Sequence, residues 1–157
     1  MTAILSRSLK TAAAVSAIAI GVSFAIAWSA GQVRAAAAGG NMKNYMITVV
    51  MPAMQPIWDG SYADKVSDAD WKNMQDNAAK LQATVAVISS GGSVPAEQTR
   101  AKLAKWQEWT KKMDAEVKVA KAAADKKDQM ALATAGDNLV EICGGCHTDY
   151  DPTAGKY

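Results

Sequence analysis

Between Trp71 and Ile88, six apolar residues (Trp71, Met74, Ala78, Leu81, Val85 and Ile88) recur at steps of three, four, three, four and three. A helix turns once in about 3.6 residues, so this spacing lays all six along one stripe. A stripe of that length is stable only when buried against other helices. Ser67-Asp68-Ala69-Asp70 opens the segment as a capping box, with Ser67 at the N-cap and Asp70 three residues on. Ser89-Ser90-Gly91-Gly92 closes it, because glycine takes the left-handed conformation after a helix at little cost.

The same period recurs on both sides. From Asn41 to Asp59, the residues Met42, Tyr45, Met46, Val49 and Val50 form a first helical stripe, and Pro52 and Pro56 each remove an N–H donor from it. This helix is expected to kink or loosen between Thr48 and Pro52, with Gly60-Ser61 marking the first turn. Pro95 stands at the first position of a third helix, which runs through Leu103, Trp106, Trp109, Met113, Val117, Ala120 and Ala124 to a turn at Lys126-Lys127-Asp128. A fourth carries Leu132, Ala135, Leu139, Ile142 and Cys143 on its inner side and ends near Asp151-Pro152. No segment alternates with period two. The expected fold class is therefore all-α, an antiparallel up-down-up-down four-helix bundle of about 120 residues.

Ahead of these helices, Arg7 and Lys10 lead into an uncharged run from Thr11 to Ala30. Residues 1–35 read as a secretory signal peptide cleaved after Ala35, where Val33 and Ala35 offer small side chains to the peptidase; Ser29 and Ala37 are alternative cleavage points. A run of this length is also long enough to cross a bilayer as an uncleaved anchor, and membrane contact enters only by that route. The domain organisation is then a leader, 1–35, and one helical domain, 36–157. The whole chain of 157 residues carries a formal net charge of +2; losing Arg7, Lys10 and Arg34 with the leader leaves 14 basic against 15 acidic groups. That balance argues against a nucleic-acid partner, and an apolar content of 50% excludes a disordered chain. Within the third helix the balance is uneven: from Arg100 to Lys127 there are nine basic and four acidic groups, either a solvated face or a field that steers an acidic redox partner.

The sequence CGGCH at 143–147 gathers both cysteines and the only histidine of the chain. It has the spacing of c-type haem attachment. On a helix, positions three apart point to one side, so the Cys143 and Cys146 thiols can add across the two vinyl groups of one porphyrin, with His147 reaching the iron. Export to an oxidising compartment also allows a Cys143–Cys146 disulfide with a redox role, but that chemistry favours a helix N-terminus in a βαβ setting. A structural zinc site needs four ligands, and the chain offers two cysteines and one histidine. The expected cofactor is one covalent haem c with its iron.

A single histidine rules out bis-histidine ligation within the chain, so the sixth iron position falls to methionine, to another weak ligand, or to none. Met42, Met46, Met51 and Met54 lie on the first helix, and Met46, on the stripe with Tyr45 and Val49 ahead of the proline break, is the expected ligand. Met74, Met113 and Met130 are expected as gap-filling core. Trp58, Trp71, Trp106 and Trp109 are expected in the core rather than at a porphyrin edge. Gly144 and Gly145 weaken the fourth helix, either to let the macrocycle lie close or because haem tolerates a poor helix there. Tyr150 either bonds near the haem edge or staples the last turn.

A C-terminal CGGCHTDY on the last of four helices, behind a leader, resembles the class II c-type cytochromes, the cytochrome c′ family. MITVVMPAMQPIWD looks like that family's haem-facing first helix, so the likeness covers nearly the whole mature chain. The resemblance implies a periplasmic bacterial haem protein, with Cys143 and Cys146 as thioether attachments and His147 as proximal ligand. In low-spin members a first-helix methionine binds iron, the position that Met46 matches. In high-spin members that position does not ligate, and five-coordinate iron binds nitric oxide or carbon monoxide. Asp151 stands where many cytochromes c′ carry a basic residue, a departure that counts against gas binding. The function expected is one-electron transfer between donor and acceptor redox proteins, without enzymatic activity; family habit adds a homodimer through first- and second-helix faces.

Overall fold

The computed structural model describes residues 40–151, and every regular element in that span is a helix. The expected signal peptide at 1–35, Pro152 and the residues beyond it lie outside the described residues. None of the described helices is long and apolar enough to cross a membrane.

The first helix has three parts: α1 (Met42–Tyr45), a π-helical segment (Met46–Val50) and α2 (Met51–Ser61). Asn41 caps its start, the side-chain oxygen accepting from the Asn44 N–H at 2.9 Å. The Met42 N–H donates to both carboxylate oxygens of Glu97, at 3.0 and 2.8 Å, which ties the start of this helix to the first turn of the short helix that begins at Pro95. Wide winding then begins, with the Met51 N–H reaching back to the Met46 carbonyl. The loosening expected between Thr48 and Pro52 takes this form. Pro52 cannot donate and its ring crowds the carbonyl four residues back, and a widened turn just ahead of it relieves that conflict. The fully buried positions, Met42, Tyr45, Val50, Ala53, Ile57 and Ser61, step by three, five, three, four and four, the step of five lying across the wide turn. The helix ends at Ser61, so Gly60 and Ser61 belong to its last turn rather than to the connection.

The second long helix, α3 (Asp68–Ser90), starts as its sequence requires. The Ser67 hydroxyl accepts from the Asp70 N–H at 3.2 Å, while the Ser67 N–H donates to the Asp70 carboxylate at 2.9 Å. It stops at Gly91, whose φ of 78° places it in the left-handed region. All six residues of the apolar seam are buried.

The third helix is not continuous. It divides into α4 (Pro95–Ala101) and α5 (Ala104–Lys126), separated at Lys102 and Leu103. Leu103 has extended backbone as the N-cap of α5, and its side chain is exposed rather than part of the core. The Gln107 amide makes this break affordable by donating to the Ala101 carbonyl at 2.6 Å and to the Ser89 carbonyl at 3.0 Å, which satisfies helix ends that would otherwise lack partners. Lys127, left-handed at φ 56°, ends α5; Asp128 caps α6 (Gln129–Tyr150) by accepting from the Ala131 N–H.

Trp71, Trp106, Met74 and Met113 are buried; Trp58 and Trp109, also expected in the core, are only half-buried, and Met130, expected there too, is 81% exposed. It falls in the first turn of α6, ahead of the inward series Leu132, Ala135 and Leu139. Packing joins α2 to α3 and α6, α3 to α5, and α5 to α6. Across these seams Gly60 meets Met74, Gly92 meets Met42 and Gly136 meets Trp58. The Trp106 indole N–H donates to the Ile88 carbonyl at 2.9 Å, and the Gln75 amide to the Ala124 carbonyl at 3.0 Å.

Candidate functional site

The last helix changes character along its length. Leu132, Ala135, Gly136 and Leu139 are buried, but beyond Leu139 the inner residues Ile142, Cys143, Cys146, His147 and Tyr150 are only half-buried. At about 100° per residue, Cys143, Cys146 and His147 fall in the same sector of about 120° as Leu132 and Leu139. The two thiols and the imidazole therefore face inward from the end of the helix where coverage thins. Both cysteines are free.

Burial pushes the Cys143 thiol above its usual range. It pushes that of Cys146 up to about 11, with the neighbouring Cys143 and Asp149 adding to the effect. Such thiols stay protonated near neutrality, the opposite of the depressed value that a dithiol redox centre uses. The motif also sits in the last turns of its helix, far from the positive helix N-terminus that stabilises a thiolate. Among the described residues, no three His, Cys, Asp or Glu side chains gather to hold a bare metal ion. Two inward thiols three residues apart, with an imidazole on the next position, are instead a donor set suited to a porphyrin: two sulfur attachment points and one axial nitrogen.

The methionines of the first helix separate by exposure. Met51 is 61% exposed and points outward; Met46 and Met54 are half-buried and pack against the core, as do Val49, Ile142 and Tyr150. Met46 opens the π segment, which leans on α3 more than on α6. Beside it stands Tyr45, 2% exposed, with a hydroxyl that has no hydrogen-bond partner and burial that pushes its phenol up to about 12.

Aromatic residues brace the outer flank of the motif. The Trp109 indole packs on Gly145, in the space a β-carbon there would need, and its N–H donates to the Asp149 carboxylate at 2.7 Å. Lys105 and Lys112 lie over the same ring at 5.6 and 4.6 Å. Gly145 thus makes room for Trp109, while a β-carbon on Gly144 would meet nothing within 4 Å. Tyr150 stands edge-on to Trp106, ring centroids 4.9 Å apart, so it staples the last turn to α5. Neither contact is visible in spacing alone, because each joins positions some forty residues apart.

The basic third helix is partly neutralised within itself: Lys112 pairs with Glu108, Lys118 with Asp114 and Lys121 with Asp125, each four residues apart. A groove of about 350 Å³ lies near the start of α6, where Lys118, Val119 and Ala131 help line it. Ala131 is about 18 Å from Cys143 along the helix axis, so the groove belongs to the other end of the molecule. Comparison with known protein families, with characterised proteins and with solved structures returned no match.

Proposed function

We propose that this chain is an exported, periplasmic mono-haem c-type cytochrome that carries single electrons between a donor and an acceptor protein. Cys143 and Cys146 would hold the haem through thioether bonds, His147 would supply one axial ligand to iron and Met46 the other. A bound haem supplies the one-electron ferric/ferrous couple. The chain's own part is to fix the porphyrin, keep it out of bulk water and hold both axial positions so that little rearranges on electron transfer.

The observation that carries this reading is the inward face of α6. Two unpaired thiols and the sole histidine share it, at the stretch where full burial gives way to half-burial. An up-down-up-down bundle is part of the proposal. Contacts of Gly60 with Met74 and Gly92 with Met42 support an antiparallel first and second helix; Trp106 with Ile88 and Gln75 with Ala124 support the second and third. Asn138 on Glu116 and Asp149 on Trp109 support the third and fourth.

The same arrangement favours Met46 over its neighbours. Trp58 meets Gly136 between the first and last helices. Counting by equal rise, upward from Trp58 and forward from Gly136, brings Met46 to the level of His147 within about one residue. Met54 falls two turns away, beside Val140, and Met51 points outward. The residues 1–35, read as a signal peptide, accord with periplasmic export, and the likeness to the class II c-type cytochromes agrees with the same cofactor.

The test is the intact mass of the exported protein, followed by absorption spectra of its oxidised and reduced forms with and without carbon monoxide. A mass raised by one haem, with a low-spin ferrous spectrum indifferent to carbon monoxide, is the expected result. The bare polypeptide's mass overturns the reading; a haem-loaded protein that binds carbon monoxide turns it to the five-coordinate gas-binding alternative.

A further inference from the structure

We infer that Tyr45 is a haem-binding residue whose phenol O–H donates to a propionate carboxylate of the porphyrin, an inference that rests on the haem reading above. Among the described residues, its hydroxyl is the one buried side-chain polar atom without a hydrogen-bond partner. Taking a phenol out of water with nothing to bond is unfavourable, and phenylalanine would fill the same space without that penalty. Neither the helices packed on it nor its own backbone offers an acceptor within reach. A buried tyrosine in this position therefore calls for an acceptor beyond the described residues, and a bound cofactor would supply one.

The local winding accords with this, although Pro52 by itself accounts for it. Tyr45 is the last residue before the π segment, and single wide turns of this kind recur where helices meet ligands. The register that sets Met46 level with His147 sets Tyr45 one position further along the axis, at the level of the last turn of α6. The acceptor's chemistry follows from the proposed ligation. With four porphyrin nitrogens and both axial ligands engaged on iron, the strong acceptors left on a haem are its two carboxylates. A hydroxyl donating to a carboxylate makes a charge-assisted bond, stronger than one between neutral partners.

Tyr45→Phe in the haem-loaded protein tests this. Removing the donor leaves more negative charge on the carboxylate, which favours ferric over ferrous iron, so the reduction potential should fall. The propionate deformation band in the resonance Raman spectrum should move as well. A purely structural hydroxyl would move neither. An unchanged potential and an unchanged band overturn the inference. If the variant fails to load haem, the unaltered holoprotein still decides: exchange into deuterated water should shift that band, and a band that stays in place overturns the assignment. A carbon monoxide stretch that moves with Tyr45→Phe would put the acceptor at the sixth iron position and also overturn it. Absence of covalent haem fails the underlying reading and is seen by mass first, whereas a loaded variant with unmoved potential and band fails this inference alone.

Discussion

Trp109 lies against Gly145 so closely that the indole fills the space of an absent side chain, while Gly144, one residue earlier on the same helix, faces no neighbour. Two adjacent glycines of CGGCH thus have opposite surroundings. Gly145→Ala should displace Trp109 and loosen its bond to Asp149, with an overpacking cost of about 1–3 kcal/mol. Gly144→Ala should recover helix propensity and stabilise by up to about 1 kcal/mol. Urea unfolding of the two single variants measures both, and equal effects would contradict the asymmetry.

Under the proposed function, Cys143 and Cys146 are the only covalent link between chain and haem. Cys143→Ala combined with Cys146→Ala should give an exported protein without covalent haem, and with lower helicity in its circular dichroism spectrum. The reason is that, under the proposed function, haem completes the packing of the half-buried inner face of α6. Undiminished helicity together with a haem-positive band on a denaturing gel would be the contrary result.

Under the proposed ligation, three first-helix methionines divide into one whose loss changes the spectrum and two whose loss does not. Met46→Ala should open the sixth position, so that ferrous protein becomes high-spin and takes up carbon monoxide. Met51→Ala, at an exposed position, and Met54→Ala, two turns from the level of His147, should both leave a low-spin spectrum unchanged. Carbon monoxide difference spectra of the three variants side by side provide the measurement, and a response from Met54→Ala alone would move the ligand assignment there.

The start of α3 predicts an acid dependence. Hydrogen bonds from the Ser67 hydroxyl and backbone N–H hold the Asp70 carboxyl below its usual range, and Lys127 does the same for Asp68. A carboxylate with a lowered folded-state value stabilises the fold above its unfolded value and loses that contribution as pH falls through the folded one. Stability should therefore decline below about pH 4. Ser67→Ala, which removes the cap from the helix end, should cost about 1 kcal/mol at neutral pH and flatten this decline. Thermal melts between neutral and acid pH check both.

Local rules made much of the fold legible. The seam from Trp71 to Ile88, the capping box at Ser67, the left-handed Gly91 and the turn at Lys127 each depend on residues within a few positions of one another, and each is found where its spacing puts it. The break at Lys102 and Leu103 was hidden because what permits it, Gln107 reaching two carbonyls in different elements, is a tertiary contact on an unbroken helical pattern. Met130 misled for a related reason: its side-chain type suits a core, but the phase of α6 turns it outward. For the candidate site, CGGCH gave the face of the helix, and exposure separated Met51 from Met46. The unpartnered Tyr45 hydroxyl left no trace in spacing, since a tyrosine on an apolar stripe looks the same whether or not its oxygen finds an acceptor.

The five-residue step from Tyr45 to Val50 has a further consequence. One surplus residue is accommodated with little added length, so the wide turn keeps the inward positions before and after it on one face of the helix. Deleting one residue between Ile47 and Val50 would restore ordinary winding and turn the step of five into a step of four, so Met42 and Tyr45 would keep the same inward face as Ala53 and Ile57. The surplus residue therefore serves the proline and not the stripe: without it the Pro52 ring would meet the carbonyl four residues back, while the inward face stayed as it is.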